Sequence, residues 1–183
     1  MFKYNFSVED VSIEAIFNKL GGLEGARRFL RNELTLVEVA PELVRVDRTI
    51  RPTYLSWMRE VLHPEFEMTG PTEFDSAKFT LWLHDGQKNG VVKGQVIYDH
   101  LKSSSMLSSC VNLQDLIAIQ KKGIAYFRKH FKGQSVFGWK SVVRDDCGNL
   151  LVPYLSEDVG RVVMNWCYLG IVWYSVNPAL RFA

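Results

Sequence analysis

The last third of the chain, from Phe137 to Ala183, sets the tightest limit on the fold. Aromatic and β-branched residues crowd around turn signals there, and no histidine appears among them. That is sheet composition. Stretches 136–143 and 149–155 flank a turn at Asp146, Cys147 and Gly148, which predicts a β-hairpin with Gly148 in positive φ. Residues 161–168 supply a third strand. Because Val162, Val163 and Met164 are all apolar, strict alternation fails, and the strand is expected to be buried on both faces. Residues 171–174 and 179–182 read as short final strands around an Asn177-Pro178 turn.

The front of the chain has a different period. Ser7 and Asp10 approximate a capping box, and Val8, Val11, Ala15, Ile16 and Leu20 recur at helical spacing until Gly21-Gly22. A second helix with Ala26, Phe29 and Leu30 on one side completes a helical hairpin. Residues 43–50 alternate weakly as a strand, and 53–62, opened by Pro52, carry Leu55, Met58 and Leu62 at helical spacing. The Gly-, Pro- and Thr-rich stretch 68–75 predicts a linker. It would separate a mainly helical region, 1–67, from an α+β region, 76–183, the two still able to pack as one compact unit. Within the second region, 79–84 reads as a strand ending at an Asp85-Gly86 turn, 95–101 as a helix, 103–109 as a polar loop, and 112–122 as a helix capped by Asn112. The fold class is α+β, helical at the N-terminus with a C-terminal antiparallel sheet of short strands.

Composition removes several function classes. A formal charge of +2 is too small by itself to imply nucleic-acid or membrane binding. Cys110, Cys147 and Cys167 are odd in number and have no close pairing, so neither a disulfide framework nor a zinc site is expected, and a reducing compartment fits. The N-terminus lacks a cleavable leader pattern and no apolar run approaches a spanning length, so the expectation is a soluble, cytoplasmic protein with no membrane partner. His63, His84, His100 and His130 are scattered without ligand spacing, and no phosphate-cradling or nucleophile-elbow motif occurs. No metal, cofactor or catalytic residue is therefore assigned. Glu60, Glu65, Glu67, Glu73 and Asp75 read as solvated charge.

Two surfaces remain. The leading expectation is a non-enzymatic binding module for a protein or small ligand, recognising it through the aromatic-rich C-terminal region. Asn165, Tyr168, Trp173, Tyr174, Ser175 and Asn177 would be the contact residues, since Tyr, Trp and Asn combine large contact area with adaptable hydrogen bonding. The alternative is nucleic-acid binding through the window 121–144, where Lys121, Lys122, Arg128, Lys129 and Lys132 interleave with Tyr126, Phe127, Phe131 and Trp139. Against it, Ile124, Phe127 and Phe131 have the spacing of a helix's core face. An enzyme of unrecognised class is the third reading.

Several short motifs, taken together, resemble a group of small bacterial proteins common in candidate-phylum genomes and without assigned activity. They are Leu20-Gly21-Gly22 with Ala26-Arg-Arg-Phe-Leu-Arg31, the stretch 57–66 ending in Pro64-Glu65-Phe66, Gly138-Trp139, the turn 145–149, and Trp173 through Arg181-Phe182. The resemblance spans most of the chain and implies a fold of that kind, but no chemistry. Cys147 departs from the acidic or small residue usual in that turn, and the group's basic tail is not found after Ala183. The segment from Trp166 through Asn177 to Phe182 is also similar to C-type-lectin-like variable proteins diversified by retroelements. That likeness implies a rigid sheet displaying the six contact residues named above.

Overall fold

A computed structural model describes residues 13–35 and 42–183. The chain divides into two units between residues 40 and 41, earlier than the stretch 68–75 that composition suggests. The start of the first expected helix, with its Ser7 cap, lies outside the described residues.

The first unit is a helical hairpin. Helix α1 (Ile13–Leu20) stops at Gly21, whose φ of 86° is open to glycine and costly for other residues, and α2 (Gly22–Leu30) runs back along it. The turn is tight enough that a Cβ on Gly25 would lie 1.5 Å from the Leu20 carbonyl oxygen. Ile13, Ile16, Phe17, Leu23 and Leu30 stay exposed.

The second unit is built on one mixed sheet. In chain order its elements are β1 (Val44–Arg45), β2 (Met58–Val61), β3 (Glu73–Phe74), β4 (Phe79–Trp82), α3 (Asp85–Lys88), β5 (Val92–Lys93), α4 (Gly94–Ser103), α5 (Leu113–Lys121) and α6 (Gly123–Phe131). There follow β6 (Val136–Phe137), β7 (Val143–Asp145), β8 (Leu150–Asp158), β9 (Arg161–Tyr168), β10 (Val172–Trp173) and β11 (Ala179–Phe182). The main sheet runs β2-β7-β8-β6-β11-β4, with β9 on the remaining side of β8; β1 pairs β3 and β10 pairs β5 in two small satellites. All pairings are antiparallel except β11 with β6, where Ala179 faces Phe137. Strand β8 organises the whole: its first residues pair β7, its later ones β6, and its other side pairs β9 from Leu151↔Tyr168 to Asp158↔Arg161.

Period-two alternation sorts the central strands onto two cores. Val136, Leu155 and Leu180 join Leu116, Ile119, Phe127 and Phe131 from α5 and α6 on one face. Phe137, Val152 and Ala179 join Ile97 and Leu101 of α4, with Trp139 and Trp173, on the other. Helices thus cover both faces. Helix α5 begins where expected, with Asn112 and Asp115 exchanging side-chain and backbone hydrogen bonds in a capping box, and Gly123 (φ 83°) breaks it from α6. The hairpin turn at Gly148 (φ 86°) also forms as expected, but its first strand does not run through 136–143: a single-turn helix, Trp139–Ser141, divides that stretch into β6 and β7, and only β7 enters this hairpin with β8.

Four other sequence expectations are corrected. Residues 53–62 are not helical but extended, entering β2, because pairing with β7 and the Glu60–Arg144 ion pair at 2.9 Å override a marginal helical period. Asp85-Gly86 is no turn but the start of α3, since the His84 side chain accepts the Gly86 N–H at 3.0 Å. The loop 103–109 contains a single-turn helix, Met106–Ser109. Strand β9 is not buried on both faces; it is an edge strand with half-covered side chains.

Candidate functional site

The residues between β1 and β3 are mostly irregular, so their backbone polar groups need partners other than a ladder. A buried polar hub at the start of α5 supplies them. Asn112, fully buried, turns the two hydrogens of Nδ2 to the carbonyls of Phe66, Glu67 and Thr69 at 3.0, 3.1 and 3.2 Å, one hydrogen being shared. Its Oδ1 accepts from the Asp115 N–H at 3.1 Å and from Arg48 Nη1 at 3.2 Å. Arg48 is ion-paired with the buried Asp115 and reaches the Pro71 carbonyl at 2.9 Å. Glu67, only 2% exposed, accepts from Tyr54 Oη at 2.5 Å and from Ser141 Oγ at 2.9 Å, while Ser141 Oγ accepts the Leu113 N–H at 2.8 Å. The expectation that this carboxylate is solvated is corrected: α5 and the turn around Ser141 enclose it.

Burial raises the Glu67 carboxyl above its ordinary value, against the pull of the two hydroxyl donors. Burial, then the bond to Glu67, pushes the Tyr54 hydroxyl far up, so it stays a donor. The hub holds charge and hydrogen bonds inside the protein, and its groups, Arg48 Nε excepted, are spent on each other and on backbone. It fixes the segment 48–71 in place.

That segment forms one wall of a cleft of about 580 Å³. Leu55 and Trp57 stand on one side, Leu113 and Ile117 of α5 form another, and Trp166 and Tyr168 of β9 close the far side. Tyr54 joins the walls: its ring lies 6.0 Å from that of Trp166, while its hydroxyl is tied to Glu67. Leu55, Trp57 and Tyr168 are exposed at 53, 36 and 47%. This is a concave, aromatic surface on a rigid sheet.

The strand that closes the cleft is open along its outer edge. The β8–β9 hairpin turns through Val159 (φ 44°) and Gly160 (φ 71°), a two-residue turn with both central residues in positive φ. In such a hairpin the closing pair, Asp158 and Arg161, exchanges both hydrogen bonds, so residues 161, 163, 165 and 167 face β8 and residues 162, 164, 166 and 168 face outward. Side chains take two outward carbonyls: Gln120 Nε2 donates to that of Val162 at 3.0 Å and Trp173 Nε1 to that of Tyr168 at 3.4 Å. Met164 and Trp166, between them, have no strand partner on that side among the described residues.

The six expected contact residues separate. Asn165 and Tyr168 border the cleft. Trp173 is 1% exposed and packs against Phe137 and Trp139 with ring centroids 4.1 and 5.0 Å away, so its assignment as a displayed side chain is corrected: it is core. Tyr174 and Ser175 are exposed and Asn177 is half-buried, on a different turn that Gln87 clamps by donating to the Tyr174 and Asn177 carbonyls at 3.0 and 2.9 Å. Asn177 Oδ1 is itself engaged by the Tyr174 N–H.

In the basic window the aromatics turn inward. Tyr126, Phe127, Phe131 and Trp139 are all buried, leaving no stacking platform. Acidic residues from elsewhere hold the cations: Lys122 and Lys129 both pair with Glu42, at 3.8 and 3.5 Å, and Arg128 forks onto Glu157. Lys121 and Lys132 are exposed, and each lies in the field of a carboxylate, Asp47 and Glu157 respectively.

Leu55 and Trp57 were not singled out as contacts from sequence. The signal was there, in Thr53, Tyr54 and Trp57 as β-formers after a proline, and helical spacing masked it. Among the described residues, no group of His, Cys, Asp and Glu is arranged to hold a metal ion, and no helix is long and apolar enough to cross a membrane. Compared with protein-family models, curated proteins and solved structures, the chain matches none.

Proposed function

We propose that the protein is a binding module that takes an extended peptide segment into the cleft beside β9. The observation that carries this is the juxtaposition of the aromatic cleft, walled by Trp57, Trp166 and Tyr168, with the unpartnered backbone of Met164 and Trp166 on the same strand. An extended chain laid along an open edge gains main-chain hydrogen bonds, while alternate side chains fill pockets on the neighbouring face. Gln120 and Trp173 cap the two ends of the edge and leave room for a short addition only. Such a cap limits the pairing of one copy with another that a long open edge invites. The motif set from Leu20-Gly21-Gly22 to Arg181-Phe182 supports placing the chain with the small bacterial proteins it resembles, which adds no activity to this reading.

The test is selection of random peptides displayed on phage, followed by titration against the unaltered protein and Tyr168→Ala. Tyr168 is half exposed, so its truncation should leave the fold intact. Selected peptides should carry apolar side chains at alternate positions, protect the Met164 and Trp166 amides from hydrogen exchange, and lose about tenfold in affinity on truncation of this aromatic anchor. Peptides that bind equally well to Tyr168→Ala, or that leave both amides unprotected, would remove the cleft as the site.

A further inference from the structure

A second concave site lies apart from the peptide cleft, around Lys140. This side chain is 3% exposed, although lysine is almost never fully buried unless paired. Its ammonium group makes no hydrogen bond or ion pair among the described residues; it lies over the rings of Phe66 and Phe182, 5.7 and 5.9 Å from their centroids. Asp115, whose field favours the charged amine, is committed to Arg48 and to the Asn112 N–H. Burial lowers the affinity of Lys140 for its proton. A buried cation without a counter-charge carries a desolvation cost that its surroundings leave uncompensated.

Lys140 opens onto a cleft of about 540 Å³, whose walls include Phe66, Pro71, Phe182, Thr69, Ser108 and Ser109. No carboxylate side chain lines it, and Ala183, which also lies in the lining, makes no ion pair with Lys140. Its hydroxyls are already donating, Thr69 to the Phe66 carbonyl at 2.9 Å, Ser108 to Ser105 at 3.0 Å and Ser109 to Met106 at 2.7 Å. Thr69 and Ser108 offer lone pairs, not protons, to an occupant, while Ser109 Oγ also accepts from Arg181 Nε at 2.8 Å. The cleft therefore presents one cation, apolar ring walls and a rim of acceptors. A phosphate, which needs several donors, is poorly matched. A single carboxylate on a flat apolar body is well matched.

We propose that this cleft is a binding site for a small aromatic or aliphatic monocarboxylate, its carboxylate paired with Lys140 and its body between Phe66 and Phe182. The missing counter-charge is the carrying observation, and the ring walls set the shape.

The probes are benzoate, its neutral isostere benzamide, and inorganic phosphate, titrated into the full-length protein and followed in amide NMR spectra. Benzoate should give saturable shifts at Thr69, Ser108 and Ser109, benzamide should bind at least tenfold more weakly, and phosphate should neither shift these signals nor displace benzoate. Lys140→Met should lose at least tenfold in benzoate affinity. Benzoate shifts that do not saturate, equal binding of benzamide, or unchanged affinity in Lys140→Met would overturn the site; displacement by phosphate would overturn its chemical class. The benzoate and benzamide comparison uses the unaltered protein, so it decides the question even where Lys140→Met does not fold.

Discussion

Asn112 concentrates more structure on one side chain than any other residue of the hub, so its removal has a computable cost. In Asn112→Ala, helix α5 loses its side-chain cap, worth about 1 kcal/mol. The Glu67 carbonyl loses its donor, and a buried acceptor without a partner costs roughly 1–3 kcal/mol, whereas the Phe66 carbonyl keeps the Thr69 N–H and hydroxyl. Arg48 loses an acceptor beside a guanidinium whose Nε already has no partner. The cap and the acceptor together come to about 2–4 kcal/mol, a large part of the roughly 5–15 kcal/mol of an ordinary domain. Asn112→Asp separates the contributions. It keeps an acceptor for the Asp115 N–H but turns a carboxylate oxygen toward three carbonyls, next to Asp115, so it should destabilise at least as much as alanine. The assay is urea unfolding followed by tryptophan fluorescence. All five tryptophans, at 57, 82, 139, 166 and 173, lie in the second unit, so the signal reports on the unit that contains the hub. A loss of only about 1 kcal/mol in the alanine variant, the value of a cap alone, would refute the account, as would an aspartate variant as stable as the parent.

Three further outcomes follow from particular contacts. The folded protein holds the Glu67 proton more tightly than the unfolded chain does, so its stabilisation is full below the ordinary value of 4.5 and is lost as pH climbs through the raised folded value. The stability of Glu67→Gln relative to the parent should thus improve from pH 4 to pH 7, read from urea midpoints; a relative decline would reverse the sign and refute it. In Gly94→Ala the new Cβ would sit 2.6 Å from Trp173 Nε1 and 3.0 Å from the Leu169 Cα, and the overpacking should cost about 1–3 kcal/mol, measured by thermal unfolding. Val159 is a β-branched residue at φ 44° on an exposed turn, so Val159→Asn should stabilise by about 1 kcal/mol, and an unchanged midpoint would show that the turn is unstrained.

How much of this was legible in the sequence depends on whether a feature is local. The Asn112 cap, the Gly21 stop and the Gly148 turn were readable because each is decided by a few adjacent residues. The strands of the last third were readable for the same reason, through β-formers between turn signals. The helix expected at 53–62 failed because its fate is set by β7, some 80 residues away, and by the Tyr54 hydroxyl reaching Glu67. The burial of Trp173 was equally hidden: a tryptophan in a short strand looks alike on a surface and in a core until the facing Phe137 and Trp139 are placed. The charges misled in a consistent way. Glu67 reads as solvated and Lys140 falls in the basic window, yet the fold encloses both, and only contacts with Ser141, Phe66 and Phe182 reveal it.

The hub and the cleft depend on each other through one side chain. Tyr54 is packed against Trp166 by its ring and anchored to Glu67 by its hydroxyl, so the wall that carries Leu55 and Trp57 is positioned from inside the core, together with the Asp146 N–H that donates to the Trp57 carbonyl at 3.1 Å where β2 begins. The opposite wall is the reverse case: Trp166 and Tyr168 belong to a strand paired along its whole length with β8, the longest strand of the sheet. One wall set by the hub and one set by the sheet suit a module that recognises a short extended segment by its backbone along β9 and seats its side chains against Leu55 and Trp57.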